Sequence, residues 1–224
     1  GLLAATFADF ELPWGGTLSG PVEARGQFRA LADLAASGRL TVSPAPARGV
    51  PMRGRLNASF NGRTDTLVLR QSWIALPQSR VDFSGTLGRR LDVRLASRNL
   101  NELAPGENLP VRLNGGAAAF NGAVLGSLRS PRVAGNLRLA NFRIAERPFT
   151  LLTGAVDLSS SRVALDGGTL RRGPLDARFS AAMGLRRYRP YQQAPLAVNA
   201  LIRNADVRDA LAVAGQADVP ATGT

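Results

Sequence analysis

The sequence predicts an all-β protein, a long antiparallel meander sheet made of repeated units of about six strands. Three observations predict it. Polar and apolar residues alternate with a period of two along most of the chain, the pattern of a strand with one oily and one wet face. Strand-sized runs are cut at short intervals by Gly, Asn, Asp or Pro, which makes neighbours antiparallel. Landmarks then recur at an offset of 96 or 97 positions, the mark of a repeat architecture. Leu12-Pro13 returns as Leu109-Pro110, Gly20 and Gly26 as Gly116 and Gly122, and Gly38 as Gly135. Arg80-Val81-Asp82-Phe83-Ser84 returns as Asp176-Ala177-Arg178-Phe179-Ser180.

The offset divides the chain into a leading strand or linker over 1–12, one unit over 13–109, a second over 110–219, and the opening of a further copy over 220–224. That last stretch, Pro220-Ala221-Thr222-Gly223-Thr224, leads to the expectation that the chain is an excerpt of a longer repetitive protein. In the first unit, strands are expected over 15–27, 36–43, 52–61, 65–76, 79–88 and 90–98. Arg55-Leu56-Asn57-Ala58-Ser59-Phe60 and Asp92-Val93-Arg94-Leu95 carry the alternation most clearly. The second unit repeats the series over 115–128, 133–143, 151–160, 162–171, 174–184 and 195–203, with Asn136-Leu137-Arg138-Leu139 as its clearest case. Between the first two strands of each unit, Phe28–Ala36 and Val124–Arg132 read as connections. One short helix per unit is expected. Asn99 caps Leu100-Asn101-Glu102-Leu103, and Asn204 caps Ala205–Leu211 ahead of Gly215. An insertion of roughly ten residues near Arg186–Gln193 distinguishes the second unit, and surface loops tolerate such length changes.

About twelve strands at ~4.8 Å each would make a sheet roughly 58 Å wide. A sheet of that width must twist, curl or pack on itself, and an apolar face turned inward is the natural outcome. The residues predicted to line that face are Leu56, Ala58, Phe60, Leu67, Leu69, Val81, Phe83, Leu91, Val93, Leu95, Val133, Leu137, Leu139, Val156, Leu158, Val163, Leu165, Phe179, Leu196, Val198 and Ile202. They either close on each other as a dry core or stay open as a groove.

The chemistry the chain lacks is informative. It has neither Cys nor His, and all 28 basic residues are Arg, against 16 acids. Disulfides, Ser-His and Cys-His nucleophiles, the usual zinc sites, and lysine-dependent P-loops or Schiff bases cannot be built. Asp82, Asp92, Asp157 and Asp166 fall at strand or turn positions that imply no cleft. The reading is therefore not an enzyme, with no cofactor and no metal. The net charge of +12 is carried by dispersed arginines, which does not make the stripe a nucleic acid needs. Arg55, Arg70, Arg94, Arg112, Arg138 and Arg178 either meet phosphates or form a solvated outer face. The dense cluster Arg186, Arg187, Tyr188, Arg189 and Tyr191 is a surface loop or a head-group or partner contact. Trp14 and Trp73 read as packing residues.

One stretch runs Ser130-Pro131-Arg132-Val133-Ala134-Gly135-Asn136-Leu137-Arg138-Leu139-Ala140-Asn141. It continues through Leu152-Thr153-Gly154-Ala155-Val156-Asp157-Leu158 to Leu165-Asp166-Gly167-Gly168-Thr169-Leu170. With Pro13-Trp14-Gly15-Gly16-Thr17, this succession resembles the TamB/AsmA-like proteins of Gram-negative bacteria. The resemblance covers nearly the whole chain from Leu12. It implies a sheet rolled into a β-taco with a hydrophobic groove, in a periplasmic protein anchored in the inner membrane by a segment outside this chain. It implies carriage of phospholipid between the inner and outer membranes. The alternatives are a scaffold that meets an outer-membrane β-barrel protein during its assembly, or a structural β-solenoid or adhesin segment. No catalytic residue is implied.

Overall fold

The fold is described from a computed structural model covering residues 14–26, 31–45, 49–105, 109, 111–127, 130–144 and 146–203. Among the described residues, alternation along the chain produces a single 14-stranded sheet, open rather than closed. The strands are β1 (Trp14–Ser19), β2 (Val22–Arg25), β3 (Ala35–Pro44), β4 (Val50–Pro51), β5 (Arg53–Asn61), β6 (Thr66–Ala75) and β7 (Ser79–Leu87). They continue with β8 (Arg90–Ser97), β9 (Val111–Leu125), β10 (Arg132–Ile144), β11 (Arg147–Leu158), β12 (Arg162–Arg172), β13 (Leu175–Gly184) and β14 (Leu196–Arg203). From β5 to β14 each strand pairs antiparallel with the next, and β3 precedes β5. Both β1 and β2 lie along β3, and β4 adds a short parallel pairing to the start of β1.

Three expectations need correction. The single strand expected over 15–27 is two, because Gly20 takes a φ of 140° and Pro21 follows it. Together with β4, that raises the count from about twelve to fourteen. The short helix after Asn99 is a single 3-10 turn, Leu100–Glu102, with the Asn99 side chain accepting from the Asn101 N–H. Among the described residues there is no α-helix, and the helix expected after Asn204 lies outside them. The repeat landmarks also shift. Pairing with β3 and β10 sets Val22 opposite Gly38 and Gly122 opposite Gly135. The structural counterpart of Gly122 is therefore Val22, not Gly26.

The same irregularity occurs in both halves. In β6 an extra residue, Gln71, sits at φ 46°, and the register to β5 and β7 shifts there. In β12 Gly167 sits at φ 58° with the same shift toward β11 and β13, 96 positions on. These are β-bulges, in which one extra residue strengthens the local twist. Ser72, nearly fully buried, fixes the first by accepting from the Asn57 N–H at 2.9 Å.

The left-handed backbone at the bulge suits Gly and strains Gln by roughly 1–2 kcal/mol. Gln71→Gly is expected to stabilise the protein by up to about 1 kcal/mol, once the entropy cost of Gly is subtracted. Gly167→Val is expected to destabilise it by about 1–3 kcal/mol. Urea unfolding followed by tryptophan fluorescence would check the opposite signs.

Candidate functional surface

Residues directly opposite in a β-ladder share a face, so the registers trace rows across the sheet. One row runs Val22, Gly38, Ala58, Leu69, Gly85, Leu91, Val124, Val133, Leu158, Val163, Met183, Leu196. It is apolar from end to end. Two rows along, Leu18, Val42, Gly54, Ile74, Val81, Leu95, Phe120, Leu137, Gly154 is also apolar throughout. The row between them runs Ser72, Phe83, Val93, Gly122, Gly135, Val156, with Ser72 its polar member. The opposite face is mixed and polar. Its row Arg80, Ala96, Ala119, Arg138, Thr153, Thr169, Arg178, Leu201 is typical.

All 21 residues predicted to line the apolar face lie on it. Leu91 and Leu139 are buried, Leu196, Val198 and Ile202 are exposed, and the other sixteen are half-buried. The six arginines Arg55, Arg70, Arg94, Arg112, Arg138 and Arg178 all stand on the polar face and are exposed. Its hollows are shallow. One of about 470 Å³ is lined by Asn121, Asn136, Arg138, Thr153 and Asp166, and another of about 420 Å³ by Glu23, Arg39, Asn57 and Arg70. Most of their lining belongs to the polar face, and each also includes one predicted residue, Leu137 in the first and Ala58 in the second.

Alternation alone did not find what packs the apolar face. Glycines on it let large neighbours lie flat. A Cβ built on Gly135 would come within 2.4 Å of the Gly122 Cα and 2.8 Å of the Phe120 ring, and one on Gly168 within 2.7 Å of the Phe179 ring. A core cluster joins Ala118, Leu139, Phe142, Phe149, Leu170, Leu175 and Ala177. In it the Phe142 and Phe149 rings stack at 5.6 Å, the offset geometry aromatic pairs favour.

At the same end of the sheet the turn after β8, Leu100–Glu102, packs beside this cluster. Glu102 is buried, and its carboxylate accepts from the Gln78 N–H at 2.9 Å and the Ser79 hydroxyl at 3.0 Å. Its carbonyl accepts from the Trp14 indole N–H at 2.7 Å. The turn thereby ties β1 to β7 over the three strands between them. Leu100 of the same turn packs on the core cluster. Trp73 stands on the polar face, with the Arg80 guanidinium 4.5 Å from its ring.

The arginine-tyrosine loop is fastened to its neighbours. Arg187 and Tyr188 take positive φ in a tight turn closed by Arg186 and Arg189. The Tyr188 hydroxyl donates to the Pro131 carbonyl at 2.6 Å, and Arg186 stacks 4.4 Å from the Tyr191 ring. Arg187 and Arg189 are exposed.

On the polar face, acids pair with arginines at the period-two spacing, as in Arg80–Asp82 at 2.7 Å and Arg90–Asp92 at 2.9 Å. Such exposed pairs contribute little to stability. Arg132 reaches Asp157 through paired hydrogen bonds, its Nε at 2.8 Å. Those bonds, with a smaller Coulombic pull from Arg132 and Arg162, hold the Asp157 carboxyl below the usual carboxylate range.

Comparison with known proteins finds no family model, no curated protein and no solved structure that matches the chain.

Two outcomes follow. Gly135→Val forces a side chain into backbone and should cost about 1–3 kcal/mol by overpacking, read as a lower midpoint in thermal unfolding. Asp157 should titrate in an NMR pH series below an ordinary aspartate, and Arg132→Gln should raise its midpoint. Because its folded pKa is depressed, its stabilising contribution is present above about pH 4 and is lost as pH falls through the folded value.

Proposed function

We propose that this chain is a hydrophobic β-groove segment of a periplasmic, bridge-like protein that carries phospholipids between the inner and outer membranes. The uninterrupted apolar rows carry the reading. An acyl chain seeks contact with apolar surface, at about 0.8 kcal/mol per methylene removed from water, and needs no directional partner. The face meets that requirement with small and aliphatic side chains that are mostly half-buried. The polar groups among them are spoken for. Ser72 bonds to Asn57, and Ser79 bonds to Ser97 and Glu102.

Repetition supports transport over storage. Equivalent residues recur along the sheet, so neighbouring positions offer an acyl chain similar contact and no single deep trap. Curling of the sheet toward its apolar face would make a β-taco. The Trp14–Glu102 tie is consistent with such curvature. The polar, arginine-bearing face would then meet water. An anchor in the inner membrane and a β-barrel partner at the outer membrane, both outside this chain, complete the proposal.

The test contrasts adjacent residues on opposite faces. A photo-crosslinking phenylalanine analogue placed at Val93 or Leu137, in protein expressed in a Gram-negative envelope, should capture phosphate-labelled lipid. The same analogue at Arg94 or Arg138 should stay at background. Equal capture on both faces, or none at Val93 and Leu137, would refute the proposal.

A further inference from the structure

We propose that the two ends of the sheet are complementary, so that the outer edge of β14 pairs antiparallel with the outer edge of β1 and β2 on a second copy of this chain. The register is the one that joins β8 to β9. The inference rests on an interface the molecule already contains, and it stands whether or not the groove carries lipid.

The β8–β9 ladder joins the last strand of the first repeat to the first strand of the second. β14 stands to β13 as β8 stands to β7. Ala181 faces Val198 as Gly85 faces Leu91, and Phe179 faces Ala200 as Phe83 faces Val93. At the other end, β1 and β2 stand to β3 as β9 stands to β10. Val22 faces Gly38 as Gly122 faces Gly135, and Leu18 faces Val42 as Ala118 faces Leu139. Among the described residues no strand pairs with the outer edge of β14, and β4 covers only Trp14 and Gly15 of the other edge. Within the molecule β8 pairs with Ala118–Leu125 of β9. The equivalent stretch of the free edge is Leu18–Arg25, the part that β4 leaves open.

Burial follows the same equivalence. At the internal junction Leu91 is 4% exposed and Ala118 3%. Their counterparts at the free edges, Val198 and Leu18, are 56% and 50% exposed. A strand laid along each edge would cover them as β8 and β9 cover each other.

Proline at an edge usually blunts it, but Pro21 does not. Its carbonyl accepts from the Arg39 N–H, and in an antiparallel ladder a residue's N–H and C=O point to the same side. The missing donor is therefore on the β3 side, and the outward groups belong to Gly20, Val22 and Ala24. Copying the β8–β9 register sets Ala197 opposite Arg25, Asn199 opposite Glu23, Leu201 opposite Pro21 and Arg203 opposite Ser19. No like charges meet. The contact is heterologous, so it leaves a free edge at each end of a pair and propagates.

Because the chain has no cysteine, engineered disulfides report this contact without background. Asn199 and Glu23 would form a pair between hydrogen-bonded positions, where side chains approach most closely, and both are exposed polar-face residues. Mixing Asn199→Cys protein with Glu23→Cys protein under mild oxidant should give a cross-linked dimer containing one of each. Carrying both substitutions on one chain should give a ladder of higher oligomers. Ala197→Cys in place of Asn199→Cys should lower the yield at least tenfold. Analytical ultracentrifugation of the unsubstituted chain should show mass rising with concentration above the 23.6 kDa monomer. Absence of the mixed dimer, a constant monomer mass, or exclusive Asn199–Asn199 cross-linking would overturn the proposal. Equal yield from the Ala197 variant would overturn the register.

Discussion

The structure depends on keeping one face of the sheet continuously apolar while the strands bulge. An added residue in a strand turns all later side chains over. At each bulge the sequence compensates with a step of three in place of two. Leu67 and Leu69 give way to Ser72 and Ile74 across Gln71, and Val163 and Leu165 to Gly168 and Leu170 across Gly167. Leu137 and Leu139 give way to Phe142 and Ile144 across Asn141. Backbone irregularity and side-chain pattern cancel, and the apolar rows continue through the places where the ladder breaks. Without that match, half of each bulged strand would carry arginine and asparagine onto the oily face.

This explains what was legible in the sequence. Strict alternation found strands close to their observed bounds and placed 21 residues on one face, because each of them lies where its own strand alternates without an inserted residue. It stopped at the bulges, and there it missed Ile74, Leu170 and Phe142. The signal was present as a three-residue apolar step, at Asp166-Gly167-Gly168 accompanied by glycines inside a strand. The repeat was visible too, but its landmarks matched turn to turn, and the Gly115 bulge in β9 displaces the pairing register from the turn spacing. Glu102 could not be read locally. Its partners Gln78 and Trp14 lie 24 and 88 positions away, and nothing in a run of residues marks a carboxylate that the fold will bury.

Packing on the face is uneven for a physical reason. A single layer cannot surround a side chain, so full burial needs something laid over it or beside it. The turn at Leu100–Glu102 provides the first beside the aromatic cluster, where Phe142 and Phe149 are almost wholly buried. Elsewhere glycines provide the second. Phe120 and Phe179 lie over Gly135 and Gly168, covering backbone that would otherwise meet water. The rings therefore keep the face low and continuous instead of studding it.

An open sheet has two exposures to manage, the row of unpaired backbone groups at each edge and the apolar face itself. Repetition addresses both. Under the proposed edge pairing, β14 and the β1–β2 edge would meet as β8 and β9 do, so each edge would be the template for the next copy. Adding a unit extends the apolar rows by the same operation, since the register that pairs backbones also aligns side chains across the new junction. Edge pairing and face continuity are thus one constraint, met wherever the β8–β9 register is reproduced. A continuous oily path across many strands is what that constraint produces when nothing in the sequence interrupts it.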